Sequence, residues 1–206
     1  MEKFEKVTGL GVPMMRINID TDQLMPAKEI LGKQPGRGEW GPALFSNLRY
    51  LDGQRTPDPT FILNQEPWKH GVFLLADRNF GCGSSREMAA WGVRDFGFRG
   101  VIAPSFNGIF ASNCFRNGVL PVELPFEQVQ ALADQTVASG GRAHISVDLE
   151  SETVIAPNGQ AFCFSSQRML REMLLTGRDE IELTLSRASV ISMFRSKDCL
   201  RRAWAY

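Results

Sequence analysis

The chain reads as an α/β protein built on a parallel sheet, and three observations lead there. First, apolar runs and helical stretches alternate from residue 72 to 122. Val72-Phe-Leu-Leu-Ala76 has the pattern of a buried strand, Ser84 to Phe96 that of a helix stopped by Gly97, and Arg99-Gly-Val-Ile-Ala103 that of the next strand. A second helix runs from Ser105 through Phe115 to Asn117-Gly118, and Val119-Leu-Pro-Val122 is a third strand. Strand, helix, strand, helix, strand implies βαβ units with parallel pairing and right-handed crossovers. Second, the pattern changes after Pro125. A helix with Phe126, Val129, Leu132 and Ala133 on one face gives way to three short segments, 142–149, 153–156 and 160–164, with a turn at Pro157-Asn-Gly159. That order predicts antiparallel strands. Third, 206 residues suit one domain, 1–206, with an easily buried core.

The remaining elements follow in chain order. Residues 7–12 read as a short strand, and alternation from Arg16 to Asp20 suggests another that runs into a loop. Leu24 to Ile30 reads as a helix. The stretch 32–42, rich in glycine, with Arg37 and Trp40, reads as an exposed loop of the kind that carries specificity. Ala43 to Leu51 is a short helix, 52–60 is rich in turns, and Phe61-Ile-Leu63 is a strand fragment. Gln167 to Leu175 is a helix ending near Gly177, and a further helical segment covers Ala188 to Arg195. Arg201-Arg-Ala-Trp-Ala-Tyr206 is a tail that either frays or docks on a partner.

Composition excludes several function classes. Lys plus Arg and Asp plus Glu both number 23, so formal charge is zero and nothing marks a nucleic-acid surface. With no run of 18 apolar residues and no signal-like start, the expected location is the cytoplasm. Cys82, Cys114, Cys163 and Cys199 lie far apart and form no C-x-x-C pair. They fit a reducing compartment and give the chain no zinc or cluster ligand set of its own. His70 and His144 have no metal-binding spacing either.

The chemistry gathers at Asn79-Phe-Gly-Cys-Gly-Ser-Ser-Arg-Glu87, between the strand at 72–76 and the helix after it. Ligands in open α/β sheets sit at the carboxyl ends of the strands, where this loop lies. Gly81 and Gly83 permit a tight turn and close approach of a ligand to the backbone. Helix first-turn N–H groups lack internal partners and carry partial positive charge, and Arg86 adds a fork that grips a carboxylate. The set is a receptor for a small anion. A plainer reading makes Ser84 the N-cap and Glu87 its capping-box partner, which leaves Gly-Cys-Gly and Arg86 unexplained. No Gly-Lys follows, so the loop is not a Walker A, and it is not G-x-G-x-x-G. Asp20 and Asp22 flank Thr21. They tune each other, hold an arginine or face water, or else form a helix cap or Asx-turn. Arg37 taken alone is a solvated loop arginine.

Four stretches together carry a resemblance: Asn18-Ile-Asp-Thr-Asp-Gln-Leu-Met-Pro26, the loop at 79–87, Val101-Ile-Ala-Pro-Ser-Phe106, and Ile109-Phe-Ala-Ser-Asn113 with Gly118-Val-Leu-Pro-Val122. They resemble the 3-isopropylmalate dehydratase small-subunit family, the stand-alone counterpart of the swivelling C-terminal domain of aconitase. The resemblance implies a three-layer β/β/α domain and a large-subunit partner that carries a [4Fe–4S] cluster. It implies reversible dehydration of 2-isopropylmalate and rehydration to 3-isopropylmalate, in leucine biosynthesis. Residue by residue, it implies that Ser84 abstracts the substrate's C–H proton. Ser85 and Arg86 hold a substrate carboxylate, Asp22 and Thr21 belong to an element that orients the site, and Arg37 reaches the other carboxylate. The chain departs from the family at Met88, where members commonly carry histidine. The same machinery acting on a shorter hydroxy-diacid such as methylmalate, dimethylmalate or citraconate therefore stays open. So does a non-catalytic anion-binding or assembly subunit.

Overall fold

The computed structural model describes residues 1–31, 36, 38–83 and 86–206. Strands β1 (Lys6–Gly9) and β2 (Gly11–Met14) open the chain, followed by three single-turn helices, α1 (Thr21–Leu24), α2 (Ala27–Ile30) and α3 (Ser46–Arg49). Then come β3 (Phe73–Ala76), α4 (Glu87–Phe96), β4 (Gly100–Ala103), α5 (Gly108–Arg116), β5 (Leu120–Glu123) and α6 (Phe126–Ala138). The chain closes with β6 (Ile145–Asp148), β7 (Thr153–Ile155), β8 (Ala161–Cys163), α7 (Arg168–Thr176), α8 (Glu180–Leu185) and α9 (Ala188–Arg201).

Strands β2, β3, β4 and β5 pair in that order, all parallel. Both faces of this sheet are buried, which is why its strands read as unbroken apolar runs. Val12, Met14, Leu74, Ala76, Val101 and Ala103 face one core, against Ala89, Ala90 and Val93 of α4 and Phe110 and Cys114 of α5. The alternate residues Phe73, Leu75, Ile102, Leu120 and Val122 face a second core, with Val129 and Leu132 of α6. Its far side is Ile145, Val147, Val154 and Phe162 of an antiparallel sheet ordered β1, β6, β7, β8. The layers are helix, parallel sheet and antiparallel sheet, the β/β/α arrangement.

The expected strand at 7–12 is two strands in two different sheets. Leu10 is the crossing point, and its carbonyl accepts from both Val72 N (2.8 Å) and Phe73 N (3.0 Å). A Cβ on Gly9 would lie 2.4 Å from Val72, and one on Gly11 would lie 2.6 Å from Ile145. The two glycines thus let the backbone pass between layers too close for a side chain.

Other expectations also shift. Arg16 to Asp20 is a turn rather than a strand, with Asn18 at φ 55°. The expected helix 24–30 is two separate turns, because Pro26 cannot continue α1 and instead opens α2. Residues 62–64 are a 3₁₀ turn, not a strand. Helix α8 was not expected, although Asp179 and Glu182 close a full capping box there. Gly97 ends α4 in the left-handed region at φ 116°, as the sequence predicts. Among the described residues, no helix is long and apolar enough to cross a membrane.

Candidate functional site

Three loops leave the carboxyl ends of adjacent strands β2, β3 and β4, and backbone hydrogen bonds stitch them together. The loop after β3 lies in the middle. On one side, Gly81 N donates to Ile19 O (2.7 Å) and Thr21 N donates to Cys82 O (2.9 Å). On the other, Phe80 N donates to Ser105 O (3.0 Å) and Asn107 N donates to Phe80 O (2.9 Å). Phe80 is fully buried, with Phe106 and Phe110 edge-on to its ring. Asn18 and Asn79 both take left-handed backbone, and Asn79 Nδ2 donates to Asn18 Oδ1 (2.8 Å). Asparagine tolerates that region better than most residues, which suits it to this joint.

Gly81 is where this construction is tightest. Its φ is 72°, and a Cβ there would lie 2.3 Å from the Phe110 ring, which is itself buried. Gly81→Ala combines left-handed strain with overpacking, together about 2–5 kcal/mol. We expect the melting temperature of the isolated chain to fall by about 5–15 °C. Thermal unfolding followed by circular dichroism checks this, and an unchanged transition would show that Phe110 yields freely.

Asp20 resolves into a cap. It is the N-cap of α1, and its Oδ1 accepts from Gln23 N at 2.7 Å. Asp22 takes the other course open to it and pairs with Arg86 through Nη1. The same Nη1 donates to Met25 O (3.0 Å). Arg86 is thus tied by one nitrogen to α1 and the residue that ends it, in the segment after β2. Its Nε and Nη2 find no acceptor among the described residues, and the side chain is 26% exposed. That leaves a charged fork with free donors at the carboxyl edge of the sheet. Thr21 sits inside the joint, only 1% exposed, below the surface where Asp22 and Arg86 lie.

Helix α4 begins at Glu87, and Arg86 is its N-cap, with extended backbone and no side-chain cap bond. The capping box expected from Ser84 and Glu87 is therefore not the start of this helix. Glu87 Oε1 instead accepts from Asn117 Nδ2 at 3.3 Å, a contact to the end of α5. Ser84, Ser85 and Arg37 lie outside the described residues. The root of the loop that carries Arg37 is described. Asp95, near the other end of α4, accepts from Gly38 N (2.9 Å) and Trp40 N (3.1 Å), while Trp40 packs on Trp91 with ring centroids 5.6 Å apart. Helix α4 thus carries Arg86 at one end and the root of the glycine-rich loop at the other.

Sequence reasoning placed Asn79 in the loop without giving it a role of its own, and missed Asp95 and Asn107. The last was legible: Asn-Gly opening a helical run is a strong N-cap signal, and Asn107 Oδ1 accepts from Ile109 N (3.0 Å). Met88, the departure from the family pattern, is half-buried and packs against the helix-side core.

The cysteines stay apart. Cys82 is half-buried beside the site, Cys163 and Cys199 are exposed, and Cys114 is buried in the core with its thiol pushed up by desolvation. Among the described residues, no three His, Cys, Asp or Glu side chains converge on a point that would hold a metal. They do not fit a resident iron–sulfur cluster.

Residues 1–127 match the family described as the aconitase C-terminal domain. The chain is 46% identical to the 3-isopropylmalate dehydratase small subunit of Cupriavidus necator, covering 100% of this chain and 99% of that one. It is 44% identical to the small subunit of the same name from Dinoroseobacter shibae, over 99% of this chain and 100% of that one. A solved 3-isopropylmalate dehydratase structure from Methanocaldococcus jannaschii superposes with a TM-score of 0.62 at 21% identity, covering 91% of this chain and 98% of that one, and supports the fold. With nearly half its residues shared from end to end, this chain belongs to the 3-isopropylmalate dehydratase small-subunit family, within the aconitase C-terminal domain fold.

Proposed function

We propose that this chain is the small subunit of a hydro-lyase that isomerises 2-isopropylmalate to 3-isopropylmalate through isopropylmaleate, in leucine biosynthesis. One observation carries the reading to the site: Arg86 stands at the carboxyl edge of the parallel sheet with two donor nitrogens unclaimed among the described residues. A guanidinium so placed binds a carboxylate through two parallel hydrogen bonds. Asp22 and Met25 O hold it from behind, so the fork is oriented before the substrate arrives. In this reading Ser85 joins Arg86 on that carboxylate, and Arg37 takes the second one.

Ser84, two residues before the helix cap, takes the C–H proton. A serine oxygen is a poor base at neutral pH, so the oxyanion form needs positive potential nearby. The helix-dipole end formed by the first-turn N–H groups of α4 and the Arg86 guanidinium supply it. The [4Fe–4S] cluster that the family implies finds no ligand set among the described residues. The reading therefore assigns it, with the Lewis acid that activates the departing hydroxyl, to the large subunit. Four cysteines without disulfide partners fit a reducing compartment, and we place the protein in the cytoplasm.

The test is anaerobic turnover of this chain with its large subunit, followed by alkene absorbance. We expect turnover on 2-isopropylmalate to exceed that on methylmalate or dimethylmalate. Each missing methyl changes discrimination by only about 1–3 kcal/mol, so weaker activity on the shorter acids is expected too. Turnover confined to a shorter acid would transfer the chain to that substrate, with Met88 and the 32–42 loop as the determinants to exchange.

A further inference from the structure

We infer that residues 187–206, helix α9 and the turn after it, form the surface through which this chain binds its large subunit. This rests on the proposed function for the identity of the partner. Of the 14 residues of α9, only Asp198 is buried. It is buried by the chain's own end: Arg202 Nε (2.7 Å) and Tyr206 Oη (3.1 Å) both donate to its carboxylate. The segment is therefore built as a unit rather than frayed.

Neither propensity nor packing accounts for the helix. Three serines, Val190, Ile191 and Phe194 are poor helix formers, and isolated helices of this length are marginal in water. Meanwhile Phe194 is 60% exposed, Leu200 90%, Trp204 82% and Tyr206 60%, with Val190 and Met193 also open. Aromatic side chains bury about 150–250 Å² each, so these residues supply most of the roughly 800 Å² per partner that a stable interface uses.

Charge selects the occupant. Arg187 pairs with Glu172 and Arg202 with Asp198, which leaves Arg195, Lys197 and Arg201 as three exposed cations with no carboxylate partner among the described residues, whereas the whole chain has formal charge zero. A twofold pairing of this surface with itself would set these three cations against their three counterparts, so a second copy is disfavoured. A lipid surface needs one clean apolar face. Here Val190, Phe194, Lys197 and Arg201 follow one another along a single line of the helix, at spacings of four, three and four. Interleaved apolar and basic residues fit a protein cleft with an apolar floor and an acidic rim, and the family's own name supplies a companion chain.

The experiment titrates this chain into the large subunit anaerobically, by calorimetry, for wild type, Phe194→Asp, Trp204→Asp and the control Val137→Asp, at an exposed position of α6. We expect Phe194→Asp and Trp204→Asp to weaken binding by about 30-fold or more, as buried aromatic anchors do. Val137→Asp stays within about threefold of wild type. The substituted side chains are exposed, so thermal unfolding of the isolated variants matches wild type. Unchanged affinity in the two tail variants overturns the inference. So does a wild-type dimer that Phe194→Asp dissolves, or adsorption to phosphatidylglycerol vesicles, when large-subunit affinity is unaffected. Turnover is read separately: a complex that forms through the tail but turns over no hydroxy-diacid would remove the proposed reaction and leave the docking surface standing.

Discussion

Ser84→Ala lowers turnover of the reconstituted enzyme on 2-isopropylmalate by about 10²–10⁴-fold, the contribution of a positioned general base. The same substitution leaves the stability of the isolated chain within about 0.5 kcal/mol. The second half of that expectation separates two readings of one residue. A serine that caps a helix costs about 0.5–2 kcal/mol when replaced by alanine. Here α4 starts at Glu87, with Arg86 at the cap position, so its helical start does not depend on Ser84. Loss of rate without loss of stability assigns Ser84 to chemistry. Loss of stability with full turnover would assign it to local structure, and would favour a non-catalytic anion-binding subunit. Parallel kinetics and thermal unfolding of one preparation decide between them.

That residue also shows where sequence reading reaches its limit. Ser84-Ser-Arg-Glu87 satisfies the capping-box pattern as well as Asp179-Glu-Ile-Glu182 does. The second forms the box, with Glu182 N to Asp179 Oδ1 at 2.7 Å and Asp179 N to Glu182 Oε2 at 3.0 Å, whereas Ser84 lies outside the described residues and α4 begins at Glu87 with Arg86 at its cap position. Glu87 is drawn away by Asn117, a partner 30 residues distant that no local pattern announces. The βαβ core was legible for the opposite reason. Its strands are buried on both faces and its helices end at glycines, so local signals and tertiary packing agree. The split of 7–12 into β1 and β2 was not legible, because the contacts that force it come from Val72 and Ile145. At the site, two carboxylates flanking Thr21 were visible, but not which one caps and which one pairs. Asp20 caps because it directly precedes α1; Asp22, two residues on, is left to meet Arg86, 64 residues away.

Arg86→Lys lowers kcat/KM on 2-isopropylmalate by about 100-fold, and most of the loss falls on KM. Each hydrogen bond between charged partners is worth about 1.5–3 kcal/mol, and lysine replaces a planar fork with a single point donor. In the structure Nη1 serves Asp22 and Met25 O, while Nε and Nη2 find no acceptor among the described residues; under the proposed function these two nitrogens take the substrate carboxylate, so the guanidinium has two tasks at once. An ammonium group satisfies the first task only by abandoning the second. Asp22 is 62% exposed, so losing its pair with Arg86 costs at most about 1 kcal/mol, and unfolding of the isolated chain should barely move. Carboxylate binding is shared by ground state and transition state, so its loss raises KM more than it lowers kcat. Asp22→Asn supplies the contrast. It keeps the fork and loosens its tether, so kcat falls while the charge that attracts substrate remains. If Arg86→Lys left KM unchanged, the guanidinium would be only a strut between the loops after β2 and β3, and the carboxylate would have to be held by Arg37 or by the partner subunit.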